Sequence, residues 1–507
     1  MTSTRVALTG VQRLLLLAIV VLPSLVRLVG IDNELLGDDE WRETETATIA
    51  RHFLEEPNIL YPRVNWGAPG PGYVEAEFQL LPWLVQLLYR VFGPQPWLGR
   101  ALAVACGALA TLLVFRLTRH LLQPGPALLG AFAFASTSLV FRFGRAFMPE
   151  SLMLVFYVLA AERFACWLER GSWRAITAAG VALALAILIK PTAVHIGLLA
   201  GILAWRRGGL RCALGRQMLA FGAIALLPAI AYYAHAAGLH VQYGNSFGVI
   251  SGGDSKWGNP SWWFDPVFYR TLLRIDVLYG MGYAGTLLAV LALLCGRPRP
   301  LRFVCGAWLL VLFVYYLIVA RYAGHESRGI QYHVYVAVPL ALATAGGAAV
   351  AHRLLRARRR GPQWLPHALV ALLVLGMAAQ QWRNHVRWLQ LPQQDVFLRA
   401  GRALAAVSAP TDCVVVTSTD VAVQDGVVNN FEEPKVMFHA WRRGRILPAD
   451  RLAAANLQTA VEETGARYLV VVDSVVAGAA ADFRRVIAAA EVAASGDGFH
   501  VYRVGPR

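Results

Sequence analysis

The chain has 507 residues, of which 57% are hydrophobic and 15% are charged, and its formal net charge at pH 7 is +16. Because soluble proteins contain about a quarter charged residues, this composition excludes an ordinary soluble globular protein and indicates a polytopic membrane protein. The basic charge does not indicate nucleic-acid binding, since the arginines lie in short clusters between apolar segments, where they orient helices and contact anionic membrane lipids. The six cysteines are scattered without CxxC spacing, so neither a disulfide framework nor a zinc site is expected.

Eleven apolar segments are predicted to be membrane-spanning helices, since a bilayer core requires about 20 apolar residues per helix. The first segment lacks a small-residue cleavage site at its end and is interpreted as a retained helix rather than a signal peptide. The predicted spans are residues 11–30, 97–117, 126–142, 150–168, 175–189, 191–205, 217–236, 276–295, 302–320, 333–351 and 365–382.

The arginine clusters predict the orientation of these helices, because cytoplasmic loops are enriched in Lys and Arg. Residues 32–77 are predicted to lie on the side of the membrane opposite the cytoplasm, and they contain eleven acidic residues and three arginines. We therefore expect a multi-pass protein of the cytoplasmic (inner) membrane, with the first outer loop, residues 31–96, outside the cytoplasm. The predicted cytoplasmic clusters are Arg116 and Arg119, Arg170 and Arg174, Arg206 to Arg216, Arg297 to Arg302, and Arg353 to Arg360.

Two parts of the chain are not predicted to be membrane-spanning helices. Residues 44–54 and 78–92 have helical spacing and are predicted to lie at the outer membrane interface. After residue 390 the pattern alternates between helix and strand, which predicts a small extracytoplasmic α/β domain over residues 391–507. The fold class is therefore mainly α, with a transmembrane module over residues 1–390. The predicted strands are residues 414–417, 468–472 and 499–504, and the predicted helices are residues 396–407, 450–464 and 479–490.

The first candidate for chemistry is the acidic stretch of residues 37–45, which holds five carboxylates in nine residues. A carboxylate at the membrane surface can accept the proton of a hydroxyl nucleophile, and Asp38, Asp39 and Glu40 are candidates for this role. The alternative is that these residues are solvated charges of an exposed loop.

Two further ionisable residues follow in apolar surroundings. Glu150 directly follows a proline in a short outer turn, where it either acts in chemistry or stabilises a helix start. Lys190 lies with Pro191 in the middle of the apolar hairpin of residues 175–205. An ionisable residue there indicates function, such as binding an anion, against the alternative of a lysine that reaches the interface.

The remaining candidates are cations and polar residues of the outer segments. A cation there can stabilise a departing phosphate. Glu77, before an apolar helix, is either a substrate contact or an exposed residue. His325 and His333 have no third ligand at a suitable spacing, so no metal site is predicted. The cationic and polar candidates are Arg42, Arg321, His325, Arg328, Tyr332 and His333.

In chain order these motifs resemble the integral-membrane glycosyltransferases of the GT-C class, in the bacterial branch related to protein O-mannosyltransferases and to the aminoarabinose transferases that modify lipid A. The resemblance rests on the order and spacing of the motifs and covers residues 10–390 and the plan of a C-terminal soluble domain. The motifs are Asp39-Glu40, Trp41-Arg42, Thr46 to Arg51, Asn58 to Arg63, Glu77-Phe78, Met148-Pro149-Glu150 and Ile189 to Thr192.

The resemblance implies a polyprenyl-phosphate-linked sugar donor, inversion at the anomeric carbon and an acidic base in the first outer loop. That base falls on Asp39, with Asp38 and Glu40 as neighbouring alternatives. The second acidic position of the family falls on Glu150, where Glu replaces Asp, and its role toward acceptor, metal or a neighbouring arginine stays open. Lys190 matches the lysine that would contact the lipid phosphate.

The sequence therefore predicts a hexosyl- or pentosyltransferase that moves a sugar to a hydroxyl of a glycan, lipid or protein acceptor at the outer face of the membrane. No cofactor is required, and a divalent cation is not indicated. The alternative is a transporter or flippase of lipid-linked saccharides, against which the unpaired first outer loop and the single interrupted hairpin argue. The predicted phosphate ligands are Lys190, Arg42, Arg321 and Arg328, and the predicted substrate ligands are Glu77, Tyr332, His333 and His325.

Overall fold

A computed structural model of the chain describes residues 7–252, 256, 260–296, 299–325, 329–357, 362–390, 394–424 and 426–505. The chain forms two compact units, each assembled from three separate segments. Unit 1 comprises Met1–Ile31, Arg100–Ile230 and Lys256–Gln390. Unit 2 comprises Asp32–Gly99, Ala231–Ser255 and Leu391–Arg507.

Helices make up most of the chain before residue 391. Short 3₁₀ turns lie at Pro191–Val194, Pro260–Phe264 and Ile330–Val336, and a π-helical turn at Asp276–Met281. The helices are α1 (Gly10–Arg27), α2 (Glu40–Glu55), α3 (Leu80–Phe92), α4 (Pro96–Thr118), α5 (Pro124–Ser136), α6 (Ser138–Phe143), α7 (Glu150–Arg170), α8 (Trp173–Ile189), α9 (His195–Ala213), α10 (Arg216–Tyr243), α11 (Pro266–Ile275), α12 (Gly282–Cys295), α13 (Arg299–Ile318), α14 (Ala320–Ala323), α15 (Ala337–Ala357) and α16 (Leu365–Leu389).

The chain is a multi-pass membrane protein. Within the described residues, eight helical segments are long and apolar enough to cross a membrane, and three shorter apolar helices accompany them. The predicted count of eleven spans stays a prediction. The segment predicted over residues 126–142 is divided at Thr137, which has extended backbone between α5 and α6. The segment predicted over residues 191–205 begins with a 3₁₀ turn and continues into α9, which bends at Gly208 and Gly209.

The predicted interruption of the apolar segment of residues 175–205 at Lys190 is confirmed. Helix α8 ends at Lys190, whose backbone is extended at φ −146° and ψ 107°. Pro191 explains the end of the helix, since a proline has no N–H to donate and disfavours helical backbone in the residue before it. The Lys190 N–H still donates to the carbonyl of Ala186 at 2.9 Å, so the side chain is presented at a fixed end of the helix.

Small residues bring α15 close to its neighbours in unit 1. A Cβ atom on Gly347 would lie 1.8 Å from the carbonyl oxygen of Leu288, and one on Gly346 would lie 2.3 Å from Leu301 Cδ2. Such close approach of backbones is how membrane helices gain packing contact without a hydrophobic driving force. Residues 333–350 are correspondingly buried apart from the half-buried Ala349, and they form the centre of unit 1.

Unit 2 contains a five-stranded sheet in the order β4-β1-β5-β7-β6. Strand β1 pairs in parallel with β4 and β5, and β7 pairs antiparallel with β5 and β6. Strands β2 and β3 form a separate antiparallel pair. The strands are β1 (Cys413–Thr417), β2 (Val423–Gln424), β3 (Val427–Val428), β4 (Arg443–Leu447), β5 (Tyr468–Val472), β6 (Glu491–Gly496) and β7 (Phe499–Arg503), and the helices are α17 (Val396–Val407), α18 (Lys435–Ala440), α19 (Ala454–Thr464), α20 (Asp473–Val476) and α21 (Ala481–Ala489).

Residues of the first outer loop belong to the same core as this sheet. Ile49 and Phe53 of α2 are buried in one apolar cluster with Val414 of β1 and Val470 of β5. Backbone pairing continues the contact, because the Gly444 N–H donates to the Asn65 carbonyl at 2.9 Å. The two predicted helices are confirmed as α2 and α3, and their placement at the outer membrane interface stays a prediction. The domain boundary near residue 390 stays a prediction, and residues 32–99 pack with residues 391–507 in one unit.

Candidate active site

The candidate residues are divided between the two units, and the two groups are described separately. Arg328 lies outside the described residues. Unit 2 holds Asp38, Asp39, Glu40, Arg42 and Glu77, and unit 1 holds Glu150, Lys190, Arg321, His325, Tyr332 and His333.

The acidic stretch forms the start of α2. Glu40 is the first helical residue and Asp39 is the N-cap. Among the described residues, the Asp39 side chain accepts no hydrogen bond from the first turn. Asp38 is exposed, Asp39 is half-buried and Glu40 is buried.

Glu40 is directed into the sheet-bearing part of unit 2. Its Oε1 lies 3.8 Å from Nε2 of His439 in α18. Burial raises the pKa of Glu40 to about 9, against the opposing charge of Lys435 and with a further rise from a side-chain hydrogen bond to Asp395. A carboxyl group that keeps its proton at neutral pH is a poor base. Of the three neighbouring acids, Glu40 therefore fits the role of base least well.

Glu45 is a second buried acid on α2. Its Oε2 accepts a hydrogen bond from Trp66 Nε1 at 3.1 Å. Burial raises the pKa of Glu45 to about 8, although the Trp66 hydrogen bond and the charge of Arg42 act in the opposite direction. Glu45 thus joins α2 to the following loop as a largely protonated group.

Arg42 and Glu77, predicted as ligands of phosphate and substrate, form an ion pair within unit 2. Arg42 Nη2 lies 2.7 Å from Glu77 Oε2, and both side chains are mostly buried. The Arg42 guanidinium also lies over the ring of Phe247, 5.2 Å from its centroid. The hydroxyl of Tyr232 donates to the carbonyl of Glu77 at 3.1 Å. The pair fixes the direction of the guanidinium.

Glu75 explains why Phe247 lies beside Arg42. This fully buried carboxylate accepts hydrogen bonds from Ser246 Oγ at 2.5 Å and from the Ile250 N–H at 2.8 Å. The Phe247 N–H donates to the Glu75 carbonyl at 2.9 Å. A buried carboxylate is stable in such a ring of donors. Glu75 therefore holds the loop of residues 245–250, and sequence reasoning missed Phe247 and Ser246 because nothing in their local pattern marks them.

In unit 1, Glu150 and Lys190 form an ion pair. Lys190 Nζ lies 2.9 Å from Glu150 Oε1, and the side chains are 15% and 1% exposed. Glu150 begins α7 after Pro149, so its carboxylate also lies at a helix N-terminus. The partner of Glu150, open from the sequence, is therefore Lys190. An ammonium group held in an apolar bundle can attract a phosphate when the carboxylate partner is displaced or shared.

Polar and aromatic side chains hold the segment after Lys190. Thr192 Oγ1 and the Tyr335 hydroxyl are 2.8 Å apart. His195 Nε2 and the Tyr157 hydroxyl are 2.9 Å apart, and Trp308 Nε1 donates to that hydroxyl at 2.8 Å. None of these residues is among those predicted above, although a histidine within an apolar segment is itself a signal of function.

His333 is buried and used at both ring nitrogens. Its Nδ1 lies 2.6 Å from Asp276 Oδ1, and its Nε2 lies 2.9 Å from the carbonyl oxygen of Ala323. These contacts hold the 3₁₀ turn Ile330–Val336 in place, which is a positioning role. Asp276 was missed, although a lone carboxylate in an apolar span could have identified it. Within the described residues, neither His325 nor His333 belongs to a group of three metal-ligand side chains.

Two further candidates, Arg321 and Tyr332, contact the ring of Tyr322. The Tyr332 ring stacks on it at a centroid distance of 5.3 Å. The Arg321 guanidinium and the Lys256 ammonium lie 5.9 Å and 4.8 Å from its centroid. Two cations on one aromatic ring form a positive, partly exposed surface in unit 1. Lys256 and Tyr322 were not predicted, because they are 66 positions apart in sequence.

The chain is similar to known membrane glycosyltransferases. Residues 79–233 match the family model described as dolichyl-phosphate-mannose-protein mannosyltransferase. No curated protein matches the chain in sequence. The structure of ArnT from Cupriavidus metallidurans in the apo state superposes with a TM-score of 0.64 at 14% identity, over 98% of this chain and 99% of that one. The same protein bound to undecaprenyl phosphate gives 0.62 at 14% identity, over 99% and 100%.

Two larger proteins share the fold. The archaeal oligosaccharyltransferase AglB from Archaeoglobus fulgidus has a TM-score of 0.57 at 13% identity, over 92% of this chain and 70% of that one. The arabinofuranosyltransferase AftD from Mycobacteria has 0.56 at 15%, over 99% of this chain and 40% of that one. The resemblance drawn from the motifs is thereby confirmed. The chain has the GT-C glycosyltransferase fold that ArnT shows, and its residues 79–233 match the protein mannosyltransferase model.

Proposed function

We propose that the chain is a glycosyltransferase that moves a sugar from a polyprenyl-phosphate-linked donor to a hydroxyl group of a glycan, lipid or protein acceptor. The observation that carries this proposal is the fold likeness to ArnT, which extends over nearly the whole of both chains. That relative is known with undecaprenyl phosphate bound, and AglB with a dolichol phosphate, which supports a lipid phosphate as the leaving group.

Asp39 is the proposed base. It removes the proton of the acceptor hydroxyl while the oxygen forms a bond to the anomeric carbon and the bond from that carbon to the phosphate oxygen breaks. The leaving phosphate takes the bonding electrons, and attack from the opposite face inverts the anomeric configuration. The half-buried position of Asp39 at the start of α2 and the raised pKa of Glu40 support this choice. Asp38 remains the second candidate.

Lys190 is the proposed ligand of the lipid phosphate. Its ammonium group stabilises the charge that develops on the leaving phosphate, which is the main contribution a protein makes to such a displacement. The ion pair with Glu150 holds the lysine in place before the donor arrives. Arg42, Arg321 and Arg328 are secondary candidates for contact with the phosphate, and Glu77, His325, Tyr332 and His333 for contact with the sugar or acceptor.

The proposed location of the reaction is the outer face of the cytoplasmic membrane. The arginine clusters between the spans support this orientation, since they assign the acidic first loop to the side opposite the cytoplasm. A divalent cation is not required for the displacement as proposed.

The test is a transfer assay in detergent solution, where no compartments exist. Purified protein is mixed with radiolabelled polyprenyl-phosphate hexoses and pentoses and with glycan, lipid and protein fractions of the cell envelope. A glycosyltransferase releases free polyprenyl phosphate and labels one fraction, whereas a flippase leaves the donor intact. Intact donor with every sugar and every fraction would contradict the proposal.

A further inference from the structure

A cluster of metal-ligand side chains lies in unit 1 at the end of α7 opposite to Glu150. Glu162, Cys166 and Glu169 follow one another at spacings of four and three residues, which places them on one face of α7. His120 reaches them from the turn after α4. Glu162 is twelve residues beyond Glu150, which is roughly 18 Å along a helix that rises 1.5 Å per residue. The cluster is therefore separate from the Lys190–Glu150 pair.

Three atoms of this cluster form a nearly regular triangle. His120 Nε2 lies 3.7 Å from Cys166 Sγ and 3.7 Å from Glu162 Oε1. The third side, between Cys166 Sγ and Glu162 Oε1, is 3.9 Å. Tetrahedral zinc with bonds of about 2.0–2.3 Å separates its ligand atoms by about 3.3–3.6 Å. The triangle therefore needs to contract by only a few tenths of an ångström to hold an ion.

Glu169 supplies the outer contact that metal-binding histidines require. His120 Nδ1 lies 2.7 Å from Glu169 Oε1. A carboxylate at one ring nitrogen keeps the proton there and directs the lone pair of the other nitrogen toward the metal. Here the other nitrogen is Nε2, which is the atom that faces Cys166 and Glu162. Among the described residues, one group of three His, Cys, Asp or Glu side chains brings its ligand atoms within 4.8 Å, and it is this one.

The surroundings of the cluster leave a place for a cation. Glu162 is completely buried and contacts Arg163 through Oε2, so Oε1 is the oxygen directed at the triangle. Arg116 contacts the same Oε1 at 3.2 Å, but its side chain is half exposed and can exchange that contact for water. The side chain of His120 is 3% exposed, so the three ligand atoms converge in a protected site.

We propose that His120 Nε2, Glu162 Oε1 and Cys166 Sγ bind one divalent transition-metal ion, with Glu169 holding the histidine. The mixture of thiolate, imidazole and carboxylate suits Zn²⁺ and disfavours Mg²⁺ and Ca²⁺, which take oxygen ligands. Binding releases the protons that the thiol and the imidazole Nε2 carry to solvent, and water completes a fourth coordination position. The ion ties the end of α4 to α7, and this site is independent of the proposed glycosyl transfer.

The test uses full-length protein in detergent, purified without a polyhistidine tag and treated with a chelator. Co²⁺ is the spectroscopic probe, since a thiolate ligand gives a charge-transfer band that Zn²⁺ abolishes by displacement. We expect one Co²⁺ per chain with this band in the parent. Cys166→Ala abolishes the band, and Glu169→Gln weakens binding about 10–100-fold. Cys305→Ala, which removes another buried cysteine of unit 1, leaves the band unchanged.

Three results would overturn the proposal. The first is a parent protein that gives no thiolate band with Co²⁺. The second is a band that survives in Cys166→Ala. The third is loss of the band in Cys305→Ala as well, because the signal would then report the state of the fold rather than this cluster. Unchanged elution in size-exclusion chromatography shows that each variant is folded.

Discussion

Lys190 and Glu150 show how single residues acquire a role that their sequence positions only suggest. Each was a candidate from its apolar surroundings, yet their pairing at 2.9 Å joins two residues 40 positions apart. Glu75, Glu45 and Asp276 show the complementary case, since Glu75 and Glu45 are buried and Asp276 is half-buried, and the partners of all three come from other segments. Sequence reasoning finds ionisable residues in apolar runs, but it does not find which buried charge neutralises which.

The first prediction concerns the Lys190–Glu150 pair. Lys190→Met leaves the Glu150 carboxylate buried without its charge partner, which costs about 3 kcal/mol of unfolding free energy for a buried pair. The double variant Lys190→Met with Glu150→Gln removes both charges and recovers most of that loss. Denaturant unfolding in detergent measures both values. Equal stability of the single and double variants would show that the pair does not contribute as a unit.

The second prediction concerns the pH dependence of stability. Folding raises the pKa of Glu45 from 4.5 to about 8. The folded state then holds a proton that the unfolded state has lost, so the unfolding free energy falls as pH rises through this window, by up to about 1.4 kcal/mol per pH unit. Glu40, with a pKa of about 9, adds to the same trend. Burial lowers the pKa of His52 and His439 to about 4, which weakens the fold below pH 6.5.

Thermal unfolding of the full chain between about pH 7.5 and 8.5 separates these effects, since both histidines are then neutral in the folded state and mostly neutral in the unfolded state. Glu45→Gln is expected to flatten the fall in stability over this range relative to the parent. Asp32→Asn, which changes an exposed acid of the same segment, is expected to keep the slope of the parent. A Glu45→Gln profile parallel to the parent would contradict the assignment.

At the scale of elements, the periodic segments were predictable and the irregular ones were not. The helices over residues 396–407 and 44–54 and strands β1, β5 and β7 agree with their patterns because their apolar residues face one core. Strand β4 was missed, since its Arg-Gly-Arg start shows no apolar alternation, and β6 was missed because it is an exposed edge strand. Strand β4 is a strand because it pairs with β1, and its own composition does not indicate one.

Gly444 provides a test of this dependence on neighbours. A Cβ atom there would lie 1.8 Å from the Val414 carbonyl oxygen, so Gly444→Ala pushes β4 away from β1. Overpacking of this kind costs about 1–3 kcal/mol, and we expect a lower unfolding temperature and faster proteolysis within residues 391–507. Gly478→Ala is the matched control, since its nearest atom would be 3.9 Å away. Similar losses in both variants would contradict the packing argument.

At the scale of the whole molecule, each of the two compact units is built from three separate segments of the chain, so no single boundary divides them. Residues 32–99 share an apolar core with the C-terminal sheet. Trp41 Nε1 donating to the Glu432 carbonyl and Arg402 pairing with Glu34 add polar contacts. Composition and hydropathy predicted the membrane segments and the presence of the α/β domain, because both depend on local pattern. They did not predict this shared core, because it brings together residues more than 350 positions apart.

The central claim is that Asp39 activates an acceptor hydroxyl for transfer from a polyprenyl-phosphate sugar. The most direct measurement is the rate of polyprenyl phosphate release in the detergent assay, for the parent, Asp39→Asn and the exposed-acid control Asp32→Asn. Removal of a general base lowers turnover by about 10²–10⁴-fold, so we predict such a loss in Asp39→Asn with the donor still bound. Asp32→Asn is predicted to match the parent. Release by Asp39→Asn at the rate of the parent would contradict the account.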